Sequence, residues 1–235
     1  MGNNIRYKRI SIKLSGEALA GKNDVLDFNA VGAIARQLKL LHESGVEVGV
    51  TVGAGNIWRG RSSGAMERNR ADQMGMLATI INSLALQDAL EKINVPAVVM
   101  SSTDVPRFCE SYTSRGALAA LNEGKLVIFA AGSGLPFFST DTAAALKAAE
   151  IHADALLLAK NVDGVYSCDP NSDKSAVRYD TLTYKEVVEN ELRATDLTAI
   201  TLCMEQNIPI LVFSMKEEGS ILRVVRGEKV GTIIQ

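Results

Sequence analysis

The chain has 235 residues, long enough to bury a substantial core, and its length fits one domain spanning residues 1–235. Hydrophobic residues make up 47%, charged residues 22% and aromatic residues 5%, a composition that excludes the disordered and membrane classes. The 25 basic and 27 acidic residues give a formal charge of −2, which argues against a general nucleic-acid-binding or membrane-binding surface.

The cysteines and the first residues indicate the compartment. Cys109, Cys168 and Cys203 are far apart and form no CxxC pair, which favours a reduced cytosolic protein over a disulfide framework or a zinc site. The opening segment MGNNIRYKR lacks the apolar run of a signal peptide, and no apolar stretch is long enough to span a bilayer. We therefore expect a cytoplasmic protein.

Short β-branched runs alternate with helical stretches, a pattern typical of a parallel sheet covered by helices on both faces. In chain order we predict strand 7–13, helix 29–44, strand 46–52, helix 70–92, strand 97–100, helix 114–123, strand 126–130, helix 142–152, strand 155–159, helix 196–206, strand 210–213, helix 221–225 and strand 231–234. Gly45 is placed to end the first helix in a left-handed conformation. Residues 163–180 are rich in Asp, Ser and Asn, which predicts a functional loop or a hairpin.

Glycine-bearing loops follow four of the predicted strands. They are Lys13–Glu17, Gly53–Arg59, Gly132–Asp141 and Asn161–Asp169. Because parallel strands end at one edge of a sheet, we expect these loops to lie together there. Glycine lets backbone N–H groups approach phosphate oxygens, and a helix beginning after the loop adds its positive end. For any one loop a tight turn is the favoured explanation, but all four together, with Lys13, Arg59 and Asp141 attached, favour an anion-binding site.

Several familiar signatures are missing. No GxxxxGK[ST] motif occurs, and neither Gly53–Gly55 nor Gly132–Gly134 completes GxGxxG, so P-loop and dinucleotide sites lose their main support. His42 and His152 fall near predicted helix ends, where an exposed or capping role is expected. With no Ser-His-Asp arrangement, a hydrolase is disfavoured.

Six segments in order along nearly the whole chain carry a family resemblance. They are YKRISIKLSGEAL, GAGNIWRG, ADQMGMLATIINSLALQDAL, FFSTDTAAALKAAEI, NVDGVYSCDP and GEKVGTII. Together they resemble the bacterial UMP kinases, which are members of the amino acid kinase family. The resemblance implies a three-layer αβα sandwich around a mainly parallel central sheet, assembled as a homohexamer. It also implies direct in-line transfer of the γ-phosphoryl group from Mg²⁺-bound ATP onto UMP, producing UDP in pyrimidine nucleotide biosynthesis.

The resemblance assigns catalysis to Lys13, Asp141 and Asp196. Lys13 would neutralise charge on the transferring group, and the two aspartates would arrange its ammonium. The residues alone leave other roles open, because Lys13 stands at a strand end and each aspartate stands where it could cap a helix. Mg²⁺ is expected to be held through phosphate oxygens and water, without dedicated protein ligands. No general base is required, since a phosphate monoester with a second pKa of about 6 is already largely dianionic.

The resemblance also assigns the two nucleotide sites. The residues implied for ATP are Lys13, Ser15, Gly16, Gly55, Arg59, Lys160, Asn161, Tyr166 and Asp169. Those implied for UMP are Ala54, Arg59, Asp72, Ser133, Gly134, Leu135, Pro136, Phe137, Phe138, Ser139 and Thr140. Arg59 would contact the UMP phosphate and Asp72 the ribose hydroxyls. A helix-capping aspartate and a solvated loop lysine are the alternatives for Asp72 and Lys160.

Two stretches depart from the family pattern. Ser133 replaces a common Thr and Leu135 a common Asn, so selection of uracil would rest more on backbone groups and Thr140. The segment 20–27 has fewer glycines than the family segment linked to GTP activation, and GTP activation is not expected. UTP inhibition remains a family expectation.

Two further functions stay open from sequence. One is another amino acid kinase acting on a carboxylate or carbamate, which Asp72 and Arg59 argue against. The other is a nucleotide sensor that binds without turnover, which fold alone does not distinguish from an enzyme. The presence of Lys13, Asp141 and Asp196 favours an active kinase. A metal or redox protein is the least favoured, and Cys168 is treated as an incidental thiol.

Overall fold

The computed structural model describes residues 5–59, 64–170, 172–192, 195–215 and 219–235. The strands are β1 (Arg9–Leu14), β2 (Glu47–Val52), β3 (Ala97–Ser101), β4 (Glu110–Ser111), β5 (Leu126–Ala130), β6 (Ala155–Lys160), β7 (Val165–Tyr166), β8 (Arg178–Tyr179), β9 (Thr181–Leu182), β10 (Ile210–Ser214) and β11 (Thr232–Ile234). The helices are α1 (Phe28–Glu43), α2 (Arg68–Lys92), α3 (Ser114–Asn122), α4 (Thr140–Glu150), α5 (Tyr184–Glu189), α6 (Leu197–Gln206) and α7 (Ser220–Val225), with a 3₁₀ turn at Gly16–Leu19.

One mainly parallel sheet organises the fold. Its strand order is β4-β3-β5-β2-β1-β6-β10-β11-β9. All neighbouring pairs are parallel except β10 with β11, which run antiparallel. The predicted parallel sheet is therefore confirmed. Strands β7 and β8 form a separate antiparallel hairpin, so residues 163–180 do contain a hairpin.

Helices cover both faces of this sheet. Residues of α1, α2 and α7 join one buried cluster, whereas residues of α3, α4, α5 and α6 join the other. In β1, Ile10 and Ile12 belong to the first cluster, while the intervening Ser11 is buried on the opposite face and donates to Ala144 O at 3.3 Å. Alternating burial of this kind, with no solvent-facing side, is what a three-layer sandwich requires of its central strands.

Capping side chains decide where two important helices begin. Glu67 accepts hydrogen bonds from Asn69 N and Arg70 N, so α2 begins at Arg68, two residues before its predicted start. Ser139 accepts from Thr142 N and starts α4 at Thr140. Consequently Asp72 and Asp141 lie inside their helices, and the capping alternatives considered for them are wrong.

Other local predictions have mixed outcomes. Gly45 has φ +77° after α1, as the left-handed helix end requires. Helix α5 and strands β4 and β9 were not predicted, although Thr183 and Glu186 form a capping box ahead of α5. Among the described residues, no helix combines the length and apolarity needed to cross a bilayer.

Candidate active site

Four adjacent parallel strands bring the predicted glycine loops to one edge. Strands β5, β2, β1 and β6 are neighbours in that order, and each loop begins where its strand ends. The clustering predicted from the sequence is therefore present in the fold, at the carboxyl edge where parallel α/β sheets bind ligands.

The loops after β1 and β2 touch through their backbones. A Cβ added to Gly16 would lie 2.6 Å from Gly55 N and 2.7 Å from Gly53 O, closer than side-chain carbons come to other atoms. The buried Asn82 braces this contact by donating to Gly53 O at 2.8 Å and to Asn56 Oδ1 at 2.8 Å. Glycine at position 16 is therefore required by the close approach of the two loops, not by its torsion angles.

A cluster of charged groups lies between β1, β6 and α4. Lys13 Nζ is 2.9 Å from Asp141 Oδ1, and Lys160 Nζ donates to Asp141 Oδ2 at 2.8 Å. Thr195 Oγ1 also donates to Asp141 Oδ2 at 2.8 Å. One carboxylate thus holds two ammonium groups on its two oxygens. The solvated-lysine alternative for Lys160 is wrong in this structure.

Electrostatics keeps Asp141 ionised. Burial alone would raise the pKa of the Asp141 carboxyl, but the ammonium groups of Lys13 and Lys160 outweigh this effect and hold it below its ordinary value. The Asp141 side chain is only 12% exposed, so solvent screens these interactions weakly. The cluster is therefore a fixed positive site with one internal anion.

This cluster predicts a pH-dependent contribution to stability. Asp141→Asn leaves Lys13 and Lys160 close together without the carboxylate, and we expect the free energy of unfolding at pH 7 to fall by about 2–4 kcal/mol. Because the folded-state pKa of Asp141 is depressed, its contribution is complete above the unfolded value of about 3.9 and is lost as the pH falls towards the folded pKa.

Urea unfolding of wild type and variant at pH 7, 5 and 3 measures this contribution. The difference should be equal at pH 7 and 5 and smaller at pH 3. Asp88→Asn is the matched control, since Asp88 forms an exposed ion pair with Lys92 at 2.6 Å whose loss costs about 0–1 kcal/mol. An Asp141→Asn difference that persists undiminished at pH 3 would contradict the assignment.

A cavity of about 340 Å³ opens in front of Lys13. Its lining comprises Lys13, Ser15, Gly16, Glu17, Gly53, Ala54, Gly55, Ser139, Thr140, Asp141 and Asp196. Asp196 stands at the N-cap position of α6 but makes no capping hydrogen bond, so the capping alternative fails for its side chain. We name this space the transfer cavity.

A second cavity, of about 390 Å³, lies between α2 and the loop that precedes α4. Its lining comprises Glu17, Ala54, Gly55, Trp58, Arg59, Arg68, Ala71, Asp72, Gly75, Met76, Thr79, Ala131, Gly132, Ser133, Leu135, Phe138, Ser139 and Thr140. We name it the acceptor cavity. Glu17, Ala54, Gly55, Ser139 and Thr140 line both cavities, which therefore share a wall.

Charged groups of the acceptor cavity already hold one another. Arg59 Nη2 donates to Glu17 Oε1 at 2.7 Å, with the Arg59 side chain 65% exposed. Deeper in the cavity, Asp72 Oδ2 accepts from Arg68 Nε at 2.8 Å and from the backbone N–H of Phe137 at 2.7 Å. The Glu17 carboxylate thus pairs with the very guanidinium predicted to contact phosphate.

A third cavity, of about 400 Å³, lies beside the β7–β8 hairpin. Tyr166 and Asp169 line it together with Cys168, and Tyr166 donates its hydroxyl to Asp163 Oδ1 at 2.7 Å. Asn161 is exposed and lies outside the lining of this cavity. We name it the hairpin cavity.

Some predicted site residues do not line a cavity. Gly134, Pro136 and Phe137 are absent from the acceptor lining, although Phe137 reaches Asp72 through its backbone. Gly134 has φ +77°, and a Cβ there would be 2.6 Å from Ser102 O, so its role is to allow the turn. Leu135 lines the cavity and is 59% exposed.

Sequence reasoning gave no role to Glu17, Trp58, Arg68 or Thr195. Glu17 stands within the quoted KLSGEAL segment and Trp58 within GAGNIWRG, so a signal was present for both. Trp58 donates its indole N–H to Ala71 O at 2.8 Å and thereby joins the β2 loop to α2. Arg68 and Thr195 lay outside every quoted segment, and only the fold brings them to the site.

A three-layer fold with a lysine–aspartate cluster at the carboxyl edge of its sheet defines the class of protein. The match to the amino acid kinase family covers residues 8–214, and the chain belongs to this family. The family predicted from the sequence motifs is thus confirmed.

Three solved structures of UMP or uridylate kinases are similar to this chain. The chain is similar to the UMP kinase from Bacillus anthracis, with 38% identity, a TM-score of 0.94, and coverage of 97% of this chain and 96% of that one. It is similar to the UMP kinase from Ureaplasma parvum, with 36% identity, a TM-score of 0.93, and coverage of 98% and 100%. The uridylate kinase from Archaeoglobus fulgidus matches with 30% identity, a TM-score of 0.74, and coverage of 96% and 99%.

Proposed function

We propose that this chain is a UMP kinase that transfers the γ-phosphoryl group of ATP to UMP and releases UDP and ADP. The shared wall between the transfer and acceptor cavities carries the proposal, because it places the two cavities side by side, as direct transfer between two bound phosphates requires. Similarity to UMP kinases over nearly the whole chain supports the same substrates.

ATP is proposed to extend from the hairpin cavity to the transfer cavity. Tyr166 and Asp169 would lie near its adenine and ribose, and Ser15, Gly16 and Gly55 would supply backbone around the phosphates. Lys13 would contact the transferring group, where a fixed ammonium neutralises charge on the equatorial oxygens. The resemblance also assigns Lys160 and Asn161 to ATP. Lys160, which is paired with Asp141, would add positive charge near the phosphates, and Asn161 would lie near the adenine and ribose.

UMP is proposed to occupy the acceptor cavity. Asp72 would accept hydrogen bonds from the ribose hydroxyls, and Ala54 and Arg59 would meet the phosphate. A phosphate there would compete with Glu17 for Arg59. Because that ion pair is largely exposed, its loss costs only about 0–1 kcal/mol, which a dianionic phosphate more than offsets.

The uracil ring would be surrounded by the loop from Ser133 to Thr140. Leu135 lines this cavity. Its backbone N–H and C=O both bond the Ser133 hydroxyl at 3.2 Å, so Leu135 offers the base only its apolar side chain. Uracil selection would therefore depend on backbone groups and Thr140. Phe138 and Ser139 line the cavity beside them.

The proposed mechanism consists of alignment and charge neutralisation. The UMP phosphate oxygen attacks the γ-phosphorus in line as the bond to the ADP oxygen breaks, with no proton to remove beforehand. Lys13 stays aimed at the reacting group because Asp141 holds it, and Asp196 lines the same cavity. When bound with ATP, Mg²⁺ supplies further neutralisation of phosphate charge.

The residues present fit an ion held mainly through phosphates and water. Both Asp141 oxygens are engaged by lysine ammonium groups, which compete with a metal for that carboxylate. Within the described ranges, no group of three or more His, Cys, Asp or Glu side chains is arranged to hold a metal. Glu17, Asp141 and Asp196 are the acids that line the transfer cavity, where the phosphates would lie.

The test is a coupled assay of ADP release from Mg-ATP, with UMP, CMP, dUMP, glutamate and carbamate offered separately. We expect turnover with UMP well above the others. Turnover with glutamate or carbamate would instead support a carboxylate or carbamate kinase. Tight UMP binding without turnover would support a sensor.

The proposal includes one domain over residues 1–235, a cytoplasmic location and a homohexamer. Leu77 and Ile81, one turn apart on α2, are 56% and 50% exposed, which suits burial between copies of the chain. Light scattering measures the mass of the assembly. We also propose inhibition by UTP, on the basis of the family resemblance. We do not propose activation by GTP, because segment 20–27 has few glycines.

A further inference from the structure

Arg68 occupies a position in the acceptor cavity that the family motifs did not assign. It is the first residue of α2, and its Nε donates to Asp72 Oδ2 at 2.8 Å one turn further along the same helix. Its guanidinium carbon lies 5.6 Å from the centre of the Phe137 ring. Arg68 therefore contacts both α2 and the loop that closes the cavity.

The loop is held to α2 at this point by more than the ring contact. Phe137 has φ +71°, a left-handed conformation that aromatic residues rarely adopt, and its N–H donates to Asp72 Oδ2 at 2.7 Å. The same oxygen thus receives one donor from Arg68 and one from Phe137. These two hydrogen bonds, with the ring stacked against the guanidinium, fix the orientation of the Asp72 carboxylate.

Hydrogen-bonding capacity remains on both charged side chains. In the part of the chain that the structure describes, the two Nη atoms of Arg68 have no hydrogen-bond partner, and Asp72 Oδ1 has none either. Both residues line the acceptor cavity, with side-chain exposures of 39% for Arg68 and 13% for Asp72. A donor and an acceptor are thus available side by side at a cavity wall.

A hydroxyl group suits this pair, because it donates one hydrogen bond and accepts others. We propose that Arg68 is a specificity-determining residue that selects ribonucleotides over deoxyribonucleotides. Its Nη group donates to a ribose hydroxyl oxygen, while the carboxylate that Arg68 orients accepts a hydrogen bond from a ribose hydroxyl. The inference rests on the proposed function, since it concerns the acceptor nucleotide of that same site.

Loss of the 2′-hydroxyl leaves part of this hydrogen-bonding capacity unused. A site built to bond a hydroxyl discriminates against the ligand that lacks it, because its own polar groups then stay unsatisfied. Arg68 is partly exposed, so water reduces the penalty. We therefore expect wild type to bind UMP about tenfold or more tightly than dUMP, and Arg68→Met to lower that ratio about fivefold or more.

Equilibrium dissociation constants for UMP and dUMP, measured by calorimetry without ATP, test the proposal. Arg68→Met should weaken UMP far more than dUMP, whereas Arg68→Lys, which keeps one donor and the charge, should retain part of the ratio. Arg70→Met is the matched control, because Arg70 lies on the same helix, is exposed and bonds Gln73 at 3.0 Å outside the cavity. Its ratio should equal that of wild type.

An unchanged ratio in Arg68→Met, whether both affinities fall together or neither falls, overturns the proposal and leaves Arg68 a structural residue. If Arg68→Met does not fold, as judged by its thermal unfolding, Arg68→Lys carries the same test with a smaller expected change. The proposed kinase function fails separately, through absent UMP turnover in wild type, because the binding ratios require no turnover.

Discussion

Lys13→Ala should lower kcat for UMP phosphorylation by about 10³-fold or more, because it removes the ammonium proposed to neutralise the transferring group. Lys13 does not line the acceptor cavity, so the dissociation constant for UMP should stay within about threefold of the wild-type value. The variant should also fold, since Lys160 and Thr195 still satisfy Asp141 Oδ2.

Paired measurements make this prediction sharp. The coupled assay reports kcat, and calorimetry reports UMP binding by the same preparation. Lys8→Ala is the matched control, because Lys8 is exposed just before the same strand and lines neither the transfer nor the acceptor cavity. Near-normal turnover by Lys13→Ala would rule out the proposed role in phosphoryl transfer.

Gly16→Ala should damage stability and activity together. The new Cβ would meet Gly55 N and Gly53 O at less than 3 Å, and Asn82 holds that backbone in place. Overpacking of this kind costs about 1–3 kcal/mol. Separation of the two loops would also displace the shared wall between the cavities. Because this misaligns the two bound substrates, we expect kcat/KM to fall about 10²-fold.

Gly32→Ala is the control for this substitution. Gly32 lies within α1, and a Cβ there meets only Arg36 Nη1 at 3.5 Å, an ordinary contact. Alanine in a helix interior should stabilise the protein by up to about 1 kcal/mol without affecting turnover. Thermal unfolding and the coupled assay distinguish the two variants. A Gly16→Ala protein as stable and active as wild type would mean that the loops move apart freely.

The local features of the fold were predictable because their causes are local. The alternation of strands and helices follows from hydrophobic periodicity, and the glycine loops had to meet because parallel strands share one carboxyl edge. The T-x-x-E capping box that starts α5, at Thr183 and Glu186, is a local signal of the same kind.

Helix starts show where local reasoning was weaker. Asp72 and Asp141 each stood near the expected start of a helix, and aspartate is a frequent cap. Glu67 and Ser139 perform the capping instead. Both aspartates therefore lie inside helices, where Asp141 contacts Lys13 and Lys160 and Asp72 accepts from Arg68 and the Phe137 N–H. Choosing among several polar residues near a helix start requires knowing which backbone N–H groups are left without partners.

The sequence by itself determined the fold class, the family, the clustering of the glycine loops and the presence of Lys13, Asp141 and Asp72 at the site. Only the tertiary structure decided which groups pair there. Lys160 with Asp141, Arg59 with Glu17, and Phe137 N–H with Asp72 join residues far apart in the chain. Such pairs leave no periodic or local signal, because the packing of whole elements sets the distance between their side chains.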